Sequence, residues 1–151
     1  MKMAYEVMTE DPVTIPMMAT IAEAVRMLQR LEVRHLPVVD ENGDLVGMVS
    51  DRDLRGLEFP EVFGAEYMGK VQTTLEAPIS SIMTSDVVTV DVEDDVSEIV
   101  EKMLDLKIGA IPVVDNDDTL VGIVSYVDLL RCLPFDEEDA RRVEPNRSKR
   151  S

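Results

Sequence analysis

The chain has 151 residues, 45% of them hydrophobic and only 4% aromatic, enough for one core built from Val, Ile, Leu and Met. A formal net charge of −16 argues against broad, sequence-independent nucleic-acid binding, which depends on cations that release counterions from phosphate. The single cysteine, Cys132, excludes an intrachain disulfide or a cysteine-built metal cluster; Glu6, Glu10 and Asp11 stand where a signal peptide would be apolar, and no run approaches the roughly 18 apolar residues that cross a bilayer, so a cytoplasmic protein without a membrane partner is expected.

In chain order, a short β-like run, Val13 to Ile15, leads to a helix start at Thr20. Thr20-Ile21-Ala22-Glu23 is a capping-box pattern, and Ile21, Ala24, Val25, Leu28 and Leu31 then fall on one helical face. A β-rich run, Leu36 to Val39, is followed by the polar stretch Asp40 to Asp44 and a second run, Leu45 to Val49. Asn42-Gly43 between two apolar runs is a hairpin signal. Ser50 then opens a short helix carrying Leu54 and Leu57.

The stretch Glu58 to Ser80 holds Phe59, Phe63 and Tyr67, half of the aromatic residues. It predicts a partly helical connector packed on the body or on a second subunit, with a tethered surface loop as the alternative. Beyond it the same beat returns. Asp95 caps a helix with Val96, Ile99, Val100, Met103 and Leu106 on one face. Runs at Ile111 to Val114 and Leu120 to Val124 flank the turn Asp115-Asn116-Asp117-Asp118, which lacks the downstream Gly and closing Glu of a calcium loop. Ser125 opens a helix carrying Leu129, Leu130 and Leu133. Arg141 to Ser151 has five basic residues against one acid and reads as a solvated, disordered tail.

The recurrence is an internal repeat. Met8 to Leu57 aligns without a gap on Met83 to Cys132 at a constant offset of 75 positions. Each copy of about 50 residues is near the limit for an independent core, so the two are expected to pack as one unit. Each reads β-α-β-β-α, and the pair forms an α/β or α+β layered domain.

The sharpest constellation is Gly47-Met48-Val49-Ser50-Asp51-Arg52-Asp53, echoed by Gly122-Ile123-Val124-Ser125-Tyr126-Val127-Asp128. Ser at a strand-to-helix junction offers a hydroxyl beside free backbone N–H groups, and Asp one turn later can accept hydrogen bonds from two vicinal hydroxyls, as on a ribose. Ser-x-x-Asp is equally a helix cap that needs no ligand.

Met-Thr-x-Asp-x-Val-Thr, Pro-Val-Val-Asp and Leu-Val-Gly-x-Val-Ser-x-x-Asp-Leu, each present twice, resemble the two halves of a cystathionine-β-synthase (CBS) domain pair, or Bateman module. The resemblance runs from Val7 to Leu133, giving repeats at 7–57 and 81–133, a connector at 58–80 and a tail at 134–151. It implies a regulatory module and not an enzyme: AMP, ADP, ATP or S-adenosylmethionine bound in the cleft between repeats, a disc-like homodimer, and an unidentified regulated protein. Carried over, Asp53 and Asp128 are the ribose acids, Ser50 and Ser125 the hydroxyls at the ligand-facing helix starts, and Thr14-Ile15 and Thr89-Val90 the segments lining the adenine pocket.

The copies differ near the phosphate. Before the shared Pro37 and Pro112 stand Arg34-His35 in one and Gly109-Ala110 in the other; after the serine stand Asp51-Arg52 and Tyr126-Val127. The Asp53 site is therefore expected to be the main nucleotide site. The alternative is a ligand-free dimerisation or scaffold module in which Ser50, Asp53, Ser125 and Asp128 only cap helices.

Overall fold

The computed structural model describes residues 2–57 and 65–132. Phe59, Phe63, the side chain of Tyr67, Leu133 and the tail at 134–151 lie outside the described residues.

The chain opens with a short helix, α1 (Ala4–Val7), and a short strand, β1 (Thr9–Glu10). The first repeat follows as β2 (Ile15–Pro16), α2 (Ile21–Leu31), β3 (His35–Val39), β4 (Leu45–Ser50) and α3 (Asp51–Arg55). After the connecting helix α4 (Ala65–Glu76) and a 3₁₀ turn (Ile79–Ser81), the second repeat runs β5 (Val90–Asp91), α5 (Val96–Leu106), β6 (Ala110–Val114), β7 (Leu120–Ser125) and α6 (Tyr126–Arg131). The architecture is mixed α+β, with β-α-β-β-α in both halves. Among the described residues no helix is long and apolar enough to cross a membrane.

Local chemistry sets these elements. Thr20 Oγ1 accepts from the Glu23 N–H at 3.2 Å while the Thr20 N–H donates to the Glu23 carboxylate at 3.2 Å, closing the capping box. Asp95 caps α5 by accepting from the Ser97 N–H at 2.8 Å, which holds its carboxyl below the usual range. Ile21, Ala24 and Leu28 of α2, and Ile99 and Met103 of α5, are buried. Leu31, at the edge of its stripe, is 41% exposed, and Leu106 faces a cavity described below. In the hairpins, Asp40 Oδ1 accepts from the N–H groups of Asn42 and Asp44, both at 2.9 Å, and Asp115 does the same for Asp117 and Thr119.

The first sheet has the order β2-β3-β4, with β2 parallel to β3 and β3 antiparallel to β4 in the register Pro37↔Met48. The second has the order β1-β7-β6-β5. Its outer strand comes from the opposite end of the chain: β1 pairs antiparallel with β7 through Thr9↔Ile123. An isolated bridge, Met48↔Thr84, is the same contact 75 positions displaced.

Each segment preceding a repeat therefore packs on the other repeat. Ala4 and Val7 are buried in the second core with Val90, Ile99, Met103, Ile111, Val113 and Val124. Ile79, with Ile82 and Met83 packed against it, completes the first core around Ile15, Ile21, Leu28, Leu36, Val38 and Val49. Gly47 and Gly122 make room for these crossings. A Cβ on Gly122 would overlap the Met8 side chain, and one on Gly47 would meet Met83 Cγ at 2.9 Å and the Thr84 carbonyl at 3.0 Å.

Candidate functional site

At Ser50 the chain leaves β4 with extended dihedrals and turns into α3. Ser50 Oγ accepts from the Asp53 N–H at 3.1 Å, and the Ser50 N–H donates to Asp53 Oδ2 at 2.8 Å. Asp53 Oδ1 has no hydrogen-bond partner among the described residues. The expected cap thus forms, yet one carboxylate oxygen stays available.

Beside Asp53 a cavity of about 600 Å³ lies between the two repeats. Clefts of this size accommodate small organic ligands. One wall is first-repeat β4 and α3, including Met48, Ser50 and Asp53. The opposite wall is second-repeat chain from the end of α5 into β6, with Tyr126 beside it. The crossing arm contributes Thr84 and Asp86 to Val88. Apolar groups from Met48, Val87, Ile108 and Pro112 offer a flat ring a desolvated seat, and the open Asp53 oxygen offers an acceptor for hydroxyls.

Seven of the sequence-derived candidates meet here: Arg34, His35, Ser50, Arg52, Asp53, Ala110 and Pro112 all line the cavity. The remainder lie elsewhere. Ile15 and Val90 are buried in the two cores, Pro37 is buried in β3, and Thr14 and Thr89 are half-buried outside the lining. The segment preceding β5 does reach the cavity, but through residues 84–88, ahead of Thr89-Val90.

Ser125 and Asp128 also stand apart. Asp128 is 8% exposed; its Oδ2 accepts from the Ser125 N–H at 2.9 Å and from Ser125 Oγ at 3.1 Å, and its Oδ1 accepts from Thr9 Oγ1 at 3.1 Å. Both oxygens are engaged within the fold. Two identical Ser-x-x-Asp boxes therefore sit in unlike surroundings.

Burial pushes His35 below its ordinary pKa near 6.5; Asp53 and Asp51 oppose the shift and Arg34 adds to it. The imidazole is thus neutral at neutral pH, able both to donate and to accept a hydrogen bond. The sequence reading missed Thr84, Asp86, Lys107 and Tyr126. Lys107 ends α5 in the left-handed region, and the only signal for it was its charge opposite Glu32 in the repeat alignment. Among the described residues no group of three or more His, Cys, Asp or Glu is placed to hold a metal.

The CBS domain profile matches residues 4–58 and 79–134. The chain is 38% identical over 115 residues to an uncharacterised 33.4 kDa protein in the ribosomal RNA operon of Thermofilum pendens, covering 74% of this chain and 38% of that protein. The first curated relatives are matched over only 22% to 38% of their own lengths. Among solved structures, a CBS domain pair in complex with 5′-methylthioadenosine and S-adenosyl-L-methionine shares 29% identity at a TM-score of 0.69, covering 86% of this chain and 94% of that one. CBSX2 in complex with AMP shares 27% identity at a TM-score of 0.72, covering 87% and 95%.

Proposed function

The chain belongs to the CBS domain family, and on that premise we propose that it is a regulatory module binding an adenosine-containing ligand (AMP, ADP, ATP or S-adenosylmethionine) between its repeats. One observation carries the reading: Asp53 presents an unengaged carboxylate oxygen to a cavity of about 600 Å³ walled by both repeats. In this reading Asp53 accepts from the ribose hydroxyls, Ser50 and His35 supply neighbouring polar contacts, and Ala110 and Pro112 close on the base. Similar CBS pairs hold AMP or S-adenosyl-L-methionine, which supports the ligand class.

The ligand touches both halves and so favours one relative orientation, by no more than its differential affinity for the two orientations. A homodimer passing that change to a regulated polypeptide completes the proposal, in which the chain performs no catalysis itself. Calorimetric titration with the four ligands, repeated with Asp53→Ala and with 2′-deoxy-AMP, tests it. Expected is binding to the wild type, loss with Asp53→Ala and weakening with the deoxy analogue; no binding by any of the four rejects it.

A second reading is favoured by Asp128, both of whose oxygens serve the fold. If Asp53 is likewise only a cap, the chain is a ligand-free dimerisation scaffold. Asp53→Ala would then cost about 0.5 to 2 kcal/mol of stability whether or not nucleotide is present.

A further inference from the structure

We propose that the cavity beside Asp53 is a one-sided anion site that selects a 5′-phosphorylated adenosine over adenosine itself and over a cationic sulfonium, its phosphate held by Arg34 and Arg52 from the first repeat and Lys107 from the second. This inference rests on the nucleoside reading of the same cavity and adds what the ligand must carry.

The argument is one of charge placement. Arg34, Arg52 and Lys107 line the cavity, and all three are exposed at its rim. The one side-chain ion pair among the described residues joins two other lining groups, Arg55 and Asp51, at 3.1 Å. Besides the ribose-facing Asp53, Asp86 is the acid left to oppose the three cations. Applying the 75-residue offset to this lining exchanges Lys107 for Glu32, Arg52 for Val127 and Arg55 for Leu130; Arg34 alone is carried across, because Arg34 and its counterpart Gly109 both face the cavity. The pseudo-equivalent surroundings of Asp128 are correspondingly acidic, and Thr9 already closes that carboxylate.

A cation surplus here is significant on a chain of net charge −16. Charges beyond about 8 Å are screened at physiological ionic strength, so rim arginines and lysine outweigh distant acids for a bound phosphate. A sulfonium placed among the same cations gains nothing from them. Because the cations come from both repeats, the phosphate as well as the nucleoside ties the halves together.

Lys107→Glu is the decisive variant. Glu32 occupies the same left-handed helix-end conformation (φ 54°, ψ 33°) as Lys107 (φ 56°, ψ 44°), so a glutamate is compatible with the backbone there. Calorimetry compares adenosine, AMP, ADP and S-adenosylmethionine on wild type and variant. Expected are one ligand per chain, AMP and ADP at least about tenfold tighter than adenosine, S-adenosylmethionine weaker than AMP, and Lys107→Glu removing about tenfold from AMP affinity while leaving adenosine unchanged. Adenosine bound as tightly as AMP, a sulfonium preferred, two ligands per chain, or an equal loss for adenosine and AMP overturns the charge assignment while the nucleoside reading stands. Absence of binding by all four overturns both.

Discussion

Thr9 Oγ1 donates a hydrogen bond to Asp128 Oδ1 at 3.1 Å across a sequence separation of 119 residues. The residues related to them by the repeat, Thr84 and Asp53, both line the cavity, and no hydrogen bond joins them. One threonine closes a carboxylate and its twin leaves the other open. Thr9→Val should therefore cost about 1 kcal/mol, because a charged acceptor that is nearly buried loses its partner. Thr84→Val should cost less. Urea unfolding of the two variants side by side reads the difference.

Gly122 lies directly under Met8, so Gly122→Ala should destabilise the protein by about 1 to 3 kcal/mol through overpacking. The three atoms nearest to the new methyl all belong to the Met8 side chain. Met8→Ala should consequently relieve most of that cost in the double variant. At Gly47 the Thr84 backbone carbonyl is also in the way, so Met83→Ala should rescue Gly47→Ala poorly. A double-mutant cycle at each site, measured by denaturant midpoint, decides between coupled and additive behaviour.

Ile79 is fully buried in the first repeat's core although it directly precedes the second repeat in sequence. Ile79→Ala should cost about 2 to 5 kcal/mol. Hydrogen exchange should show the loss of protection first in β2, β3 and β4, the strands against which Ile79 packs, and not in β6 and β7. Equal loss in both sheets would contradict the separation into two cores.

His35 is held below its ordinary pKa by burial, so below pH 6.5 the unfolded chain binds a proton more readily than the fold does. Stability from this group is unaffected above that pH and falls as the solution is acidified through the window beneath it. His35→Gln should flatten the slope of unfolding free energy between about pH 5 and 7, measured by chemical denaturation at constant ionic strength. An unchanged slope would remove the imidazole as the group responsible.

The hydrophobic spacing of α2 and α5, the capping boxes at Thr20, Ser50 and Ser125, and the Asp-centred hairpin turns are all legible in the sequence, because each depends on residues a few positions apart. Seven cavity residues were legible too, Ser50 and Asp53 through the repeated motif and its family resemblance, and Arg34, His35, Arg52, Ala110 and Pro112 at or beside the positions where the two copies differ. Thr84, Asp86, Lys107 and Tyr126 were not. They reach the cavity only through the crossing arm, the end of α5 and the packing of one repeat on the other, relationships that no local pattern encodes. Ile15 and Val90 erred in the opposite sense: both side chains are buried in the two cores and neither lines the cavity.

Internal alignment compares residue types directly, so the presence of two copies of one β-α-β-β-α unit, and the positions where their charges differ, can be read from the chain before it folds. Tertiary structure alone decided that each Met-Thr arm completes the other copy's core and that one Ser-x-x-Asp box faces a cavity while its twin is sealed. Identical motifs have identical local energetics; Thr9, arriving from 119 residues away, engages the Asp128 carboxylate, whereas its repeat-related twin Thr84 makes no such bond to Asp53.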